Sequence, residues 1–305
     1  MPQFFQKTNI NFIQARWTAI TLSTLIIVAG LVTLIIRGPN YSIDFRGGLD
    51  VHLRFEKPIT EGEVRGALSA LDLGVAEVKR VRALGDPDEI LIRVKQSEVA
   101  GDLVPRMETA LHETIPDNPF EVRHVEAVGP KIGHELRNQA ILSAVVAIIL
   151  ILIYISWRFE FKFAIGGIAA IFHDVLITLG FFAFFNYEIS LQVVAAFLTL
   201  IGFSINDTIV VFDRIRENLK KLRSMSLADI MNLSINETLS RTVITSVTVF
   251  LVVLVLFVFA GPVVRGFAFA MLVGVITGTY STVFIASPIV LEWAQRTAIK
   301  GKKRR

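Results

Sequence analysis

Apolar residues along the chain gather into runs about twenty residues long, the length a helix needs to cross a ~30 Å hydrocarbon layer. Six such runs stand out, at 18–36, 138–156, 163–184, 191–212, 242–260 and 266–291, and each predicts a transmembrane helix. The first run ends in Arg37-Gly38-Pro39-Asn40. That ending offers no small-residue cleavage site, so the run predicts an uncleaved span and not a signal peptide. Between the first and second runs lies a polar block, 37–137, where the apolar period shortens. Leu49–Phe55 alternates apolar and polar residues, as a half-buried strand does. Thr60 followed by Glu63 is a capping-box pattern and predicts a helix over 61–71. Strands follow at 76–84 and 89–95, joined by a turn at Gly85-Asp86-Pro87-Asp88. A helix over 97–115, kinked or broken at Pro105, and a strand over 120–128 complete the block. The order βαββαβ is that of a small α+β ferredoxin-like domain.

Composition agrees with a polytopic membrane protein. The chain is 53% hydrophobic and only 19% charged, and its charges concentrate in the polar block and in short connectors. There is no cysteine, so no disulfide framework and no thiolate metal site. The histidines His52, His112, His124 and His134 lack metal-ligand spacing. No Walker loop, nucleophile elbow or metal motif points to an enzyme or a cofactor. The excess positive charge does not call for nucleic acid, because it sits in membrane connectors and the tail GKKRR.

Those connectors orient the chain. Arg158 and Lys162, then Arg214, Arg216, Lys220, Lys221 and Arg223, then the tail residues from Arg296 to Arg305 all fall on the side of the N-terminus. The opposite connectors 186–190 and 261–265 carry only Arg265. The positive-inside rule then predicts a cytoplasmic N-terminus (1–17), a charged, helix-prone cytoplasmic loop (213–241) along the interface, a cytoplasmic tail (292–305) and a periplasmic 37–137 domain.

Polar residues inside the spans are the candidate chemistry. Asn206 and Asp207 lie in the fourth span, Asp207 about 7–8 Å inside its last apolar residue, Phe212. A membrane carboxylate costs roughly 2.5–3.5 kcal/mol on insertion scales, so it pairs, faces the bundle interior or moves ions. His173 and Asp174 lie about 15 Å into the third span. Neighbours on a helix point about 100° apart, so one can face Asp207 while the other packs elsewhere; the alternative is that both are satisfied polar residues that lock helix packing. Arg241 opens the fifth span and is placed either to pair with Asp207 or to snorkel to headgroups. Thr242, Thr245, Ser246 and Thr248 continue that helix with hydroxyls. Gly274 and Gly278 form a small-xxx-small packing face in the sixth span, with Gly166, Gly167 and Gly202 in similar roles.

Five motifs in order carry a resemblance. They are Asp44-Phe45-Arg46-Gly47-Gly48, Val128-Gly129-Pro130, Phe172-His173-Asp174-Val175, Gly202 to Thr208 with Asp213 to Asn218, and Arg241-Thr242 with Thr245-Ser246. Together they resemble the SecF family, the smaller membrane subunits of bacterial SecD–SecF protein-export complexes. The resemblance covers nearly the whole chain. It implies half of a twelve-span core of the resistance-nodulation-division superfamily, with a SecD partner supplying the other half. It implies work in the inner membrane with the SecYEG channel, the SecA motor, translocating preproteins and lipid, driven by the proton-motive force. It also implies that Asp207 and Arg241 belong to proton conduction. On that reading, protonation of Asp207 breaks its pair with Arg241. The outer domain then tilts on hinges at Gly47-Gly48 and Gly129-Pro130. Two other classes remain: a non-transporting scaffold for SecD or the channel, and half of a small-molecule or lipid exporter.

Overall fold

The structure, a computed structural model, describes residues 8–71, 73, 76–81, 89–95 and 103–302. The expected turn at 85–88, the end of the second strand, the first residues of the helix at 97 and the last three tail residues lie outside them. Among the described residues, six helices are long and apolar enough to span a membrane. They are α1 (Arg16–Arg37), α5 (Pro130–Arg158), α6 (Phe161–Phe185), α7 (Leu191–Lys221), α8 (Leu227–Phe259) and α9 (Pro262–Ser281). The last runs on through a π-helical turn, Thr282–Ala286, into α10 (Ser287–Lys302).

Between α1 and α5 stands the expected domain. It holds a one-turn helix α2 (Ile43–Arg46), then β1 (Gly48–Phe55), α3 (Glu61–Ser69), β2 (Glu77–Val81), β3 (Glu89–Lys95), α4 (Leu103–Thr114) and β4 (Phe120–Val128). The sheet order is β2-β3-β1-β4 and every pairing is antiparallel, the ferredoxin-like arrangement. Thr60 and Glu63 make the capping box in both directions, fixing the start of α3. Pro105 sits in the first turn of α4, where its missing N–H costs no internal hydrogen bond.

The central strand β1 departs from the half-buried expectation. Leu49, Val51, Leu53 and Phe55 pack with Val64, Leu68, Met107 and Leu111 of the two helices. Asp50 and His52, on the other face, are buried as well. They line a cleft of about 380 Å³ between the sheet and the spans.

Four spans reach well past their apolar runs, the sixth through α10 as far as Lys302. Pro130 at the first position of α5, with Gly129 as its N-cap, starts that helix eight residues before the expected 138. Residues 213–241 hold no long interfacial loop. They form the end of α7, a turn at 222–226, and the start of α8 capped by Ser226. The reason is composition: the segment is rich in strong helix formers and has no proline.

Glycines set the closest helix contacts. A methyl built on Gly30 of α1 would lie 2.6 Å from the Gly180 Cα of α6. On Gly274 of α9 it would lie 2.4 Å from a Leu200 methyl, and on Gly278 it would lie 3.1 Å from the Ser204 Cβ of α7. The small-xxx-small face therefore packs α9 on α7. Gly202 does not join it: it is exposed, with nothing within 4 Å of an added methyl.

Candidate functional site: two membrane acids and an outer joint

Asp174 of α6 is 1% exposed. Its Oδ2 accepts from Ser204 of α7 at 2.6 Å and from Ser281 of α9 at 2.8 Å. Its Oδ1 lies 2.9 Å from Nδ1 of His173, whose imidazole folds back onto its own neighbour. That ring stacks on Tyr280, and the Tyr280 hydroxyl donates to the Ala19 carbonyl of α1 at 2.7 Å. Next to this cluster Thr208 meets Thr282 at 2.9 Å, inside the π-helical turn. The expectation that His173 or Asp174 faces Asp207 is corrected: the two adjacent side chains bond each other, and neither bonds Asp207.

Asp207 is also buried, at 7% exposure. It receives one hydrogen bond, from Thr242 Oγ1 of α8 to Oδ1 at 2.7 Å. Oδ2 is buried with no partner. The expected pair with Arg241 is not formed, because no salt bridge within 4.0 Å joins them. Helix geometry explains this. Thr242 faces Asp207, so its neighbour Arg241 points about 100° away, onto the exposed surface. Asn206 is likewise exposed beside Asp207. It belongs to a stripe of small and polar residues on α7: Gln192, Ala195, Thr199, Gly202 and Asn206. The spacing of three and four places them on one helix face.

At the sheet end of α7 the polar contacts are dense. Asp44 of α2 accepts from the Leu191 N–H at 2.8 Å, at the first turn of α7, where the helix dipole favours an anion. The turn 186–190 exchanges backbone bonds with the segment before α2. Ile189 donates to Asn40 O at 2.7 Å and Ser42 donates to Ile189 O at 3.0 Å. Arg93 of β3 closes the joint. Its Nε and Nη2 donate to the Asp50 carboxylate at 2.8 and 2.6 Å. Its Nη1 and Nη2 donate to Glu188 at 2.7 and 2.8 Å. Burial alone would push the Glu188 carboxyl up. The hydrogen bonds and charge of Arg93, with Lys79 and Arg46, outweigh that and hold it below the usual carboxylate range.

The hinge candidates divide. Gly47 and Gly48 have φ of 74° and 145°, which favour glycine. A methyl on Gly48 would lie 2.7 Å from Val94 O, and one on Gly133 of α5 would lie 3.1 Å from Gly47 N. This is a packed joint. Gly129, before Pro130, has nothing within 4 Å of an added methyl. Sequence reasoning passed over Ser204, Ser281 and Tyr280, and also Asp50, Arg93 and Glu188. The Arg93–Asp50 contact follows from cross-strand pairing of those two positions, which only the register reveals.

The family described as protein export membrane protein SecD/SecF, C-terminal, matches residues 107–296. The protein translocase subunit SecF of Rhodothermus marinus is 40% identical over 306 residues, 98% of each chain. The SecF subunit of Magnetococcus marinus is 45% identical over 295 residues, 95% of this chain and 94% of its own. The crystal structure of SecDF from Thermus thermophilus, described as a translocon-associated membrane protein, superposes with a TM-score of 0.86 at 36% identity. It covers 96% of this chain, which spans 40% of that longer one. SecDF in its super-membrane-facing form gives a TM-score of 0.74 at 35% identity, covering 100% of this chain and 41% of its own. With its length, its six apolar helices, its sheet domain and its sequence all matched, the chain belongs to the SecD/SecF family of protein-export membrane proteins.

Proposed function

We propose that the chain associates with a SecD subunit and uses the proton-motive force to promote preprotein export through SecYEG, alongside the SecA motor. The observation that carries this reading is Asp207. It is buried in a membrane helix with one carboxylate oxygen bonded to Thr242 and the other without a partner. Such a group is costly as an anion and gains by taking a proton or a cationic neighbour. Arg241, one residue from Thr242, is that neighbour; it is exposed, and it forms no salt bridge among the described residues. Two states follow: Asp207 protonated and bonded to Thr242, or ionised and paired with Arg241. A charge change in low dielectric biases two packings of a helix bundle.

The partner surface follows from the stripe on α7. An exposed Gln192, Thr199, Gly202 and Asn206 suit another helix better than lipid tails. We place SecD there, so that the proton site lies at the seam of the two subunits. The basic connectors support a reading with both termini in the cytoplasm and the sheet domain outside the inner membrane. No enzymatic step is needed, because a gradient supplies the energy.

The test is preprotein export into inverted membrane vesicles containing SecD, with and without a proton gradient. Asp207→Asn and Arg241→Met are expected to assemble, to keep ATP-driven export and to lose the gradient-dependent part. If both variants keep the gradient-dependent part, Asp207 is structural and the chain is a scaffold for its partners.

A further inference from the structure

Among the described residues, the sheet domain meets the spans at the turn 186–190 and at the start of α5, and its cleft also faces Val263 and Arg265 of α9. The turn is the richer contact. Besides the Arg93 bonds to Glu188, Asn40 Nδ2 donates to Asn186 O at 3.2 Å; just before the turn, Arg37 at the end of α1 donates from Nη1 to Phe184 O of α6 at 3.2 Å, a bond between two spans. Tyr41 and Ile189 form a parallel bridge. All these bonds lead into the first turn of α7, the helix that carries Asp207 sixteen residues further on.

We propose that Arg93 and Glu188 form a permanent clamp that makes the sheet domain travel with the near end of α7. This rests on the proton-driven reading above and names how motion at Asp207 reaches the outside. Both are positioning residues; neither touches the proton site.

Three observations argue for a closed clamp and against a freely swinging domain. Asp50, cross-strand from Arg93, takes two of its donors, so the guanidinium is aimed at Glu188 by the sheet itself. Arg93 is 14% exposed in its side chain, so water competes little for these bonds. Gly47 and Gly48, the obvious hinge, are packed against Val94 and Gly133. The acid side of a proton gradient does not open the clamp either. A carboxyl held below its usual value of about 4.3 keeps its pairing at every pH above that value and loses it only as pH falls through the lowered one.

The experiment again uses inverted vesicles with a cysteine-free SecD. Glu188→Ala removes the clamp but leaves Arg93 on Asp50, so the sheet keeps its internal pair. Assembly and ATP-driven export are expected to persist, with the gradient-dependent part lost. A second variant replaces the clamp covalently. The chain has no cysteine, and bridged backbones such as Tyr41 and Ile189 typically lie ~4.8 Å apart, inside the ~4.4–6.8 Å a disulfide spans. Tyr41→Cys with Ile189→Cys, oxidised, is expected to restore gradient-dependent export to Glu188→Ala, and reductant to remove it again. In the otherwise unaltered chain the same disulfide is expected to leave export unchanged. The proposal is overturned if Glu188→Ala keeps gradient-dependent export, if the disulfide fails to restore it, or if the disulfide alone blocks it. The last arm decides the matter where Glu188→Ala does not assemble. Asp207→Asn runs beside these variants. Retention there sinks the proton-driven reading itself; loss there with retention in Glu188→Ala sinks only the clamp.

Discussion

Asp174 and Asp207 are both buried carboxylates inside the same bundle, and their surroundings are opposite. Asp174 meets three partners, Ser204, Ser281 and His173, from three helical segments. Asp207 meets Thr242 alone and keeps an unbonded oxygen. Ser204 and Asp207 lie three residues apart on α7, so one helix face serves both acids. Asp174 therefore ties three helical segments together through its hydrogen bonds, while Asp207 keeps one carboxylate oxygen open to a further partner, and the proton-driven reading proposed above rests on that oxygen.

The sharpest way to break this comparison is to truncate each acid and measure folding and export separately. Asp174→Ala strands the hydroxyls of Ser204 and Ser281 and the His173 imidazole. A buried polar group left without its partner costs about 1–3 kcal/mol, and this variant strands more than one. The variant is expected to give a lower unfolding temperature of the purified complex with SecD, or less folded protein in the membrane. Asp207→Ala strands only the Thr242 hydroxyl, which bonds a backbone carbonyl instead. Its expected loss of stability is about 1 kcal/mol, with export as the main casualty. A stable, export-deficient Asp174→Ala beside an unstable Asp207→Ala would reverse the assignment.

Gly278 tests how the saturation of Asp174 is built. Its bare Cα lets α9 approach α7, and an added methyl would lie 3.1 Å from the Ser204 Cβ. Gly278→Val is expected to push the helices apart and pull the Ser204 and Ser281 hydroxyls off the carboxylate. Overpacking of this kind costs about 1–3 kcal/mol. The loss should largely disappear in an Asp174→Ala background, because the bonds it breaks are already gone. Full additivity of the two variants would show that Gly278 packs without serving Asp174.

Much of the fold was legible because it rests on periodicity. Runs of twenty apolar residues need no tertiary information, and neither does the Thr60–Glu63 capping box. The site was legible in part. A carboxylate in an apolar run is conspicuous wherever it points, so Asp174 and Asp207 stood out. Which partner each one takes depends on helix rotation. Arg241 was the charged candidate beside Asp207, yet Thr242, its neighbour, faces the acid. The Arg93–Glu188 contact joins residues 95 apart in the chain, through sheet register and the packing of the turn 186–190. No local pattern marks such a contact. The ends of α5, α7 and α8 were missed for the reverse reason: helix propensity carries on where the apolar run stops.

The smallest expected effect isolates the single donor that Asp207 has. Thr242→Val keeps the branched shape and removes the hydroxyl, while Thr242→Ser keeps the hydroxyl and removes a methyl. One hydrogen bond is worth about 0.5–1.5 kcal/mol net, and about 1.4 kcal/mol is a tenfold change in an equilibrium. Thr242→Val should therefore shift the balance between the two states of Asp207 by up to about tenfold and reduce gradient-dependent export without lowering assembly. Thr242→Ser should stay close to the unaltered chain, because its hydroxyl still reaches Oδ1. The same pair of readings at Ser204 separates the two acids. Ser204→Ala removes one of three donors from Asp174, so its effect should appear in stability before export. If Ser204→Ala and Thr242→Val instead gave the same export defect at unchanged stability, the two carboxylates would be one coupled site, and the contrast between them would fail.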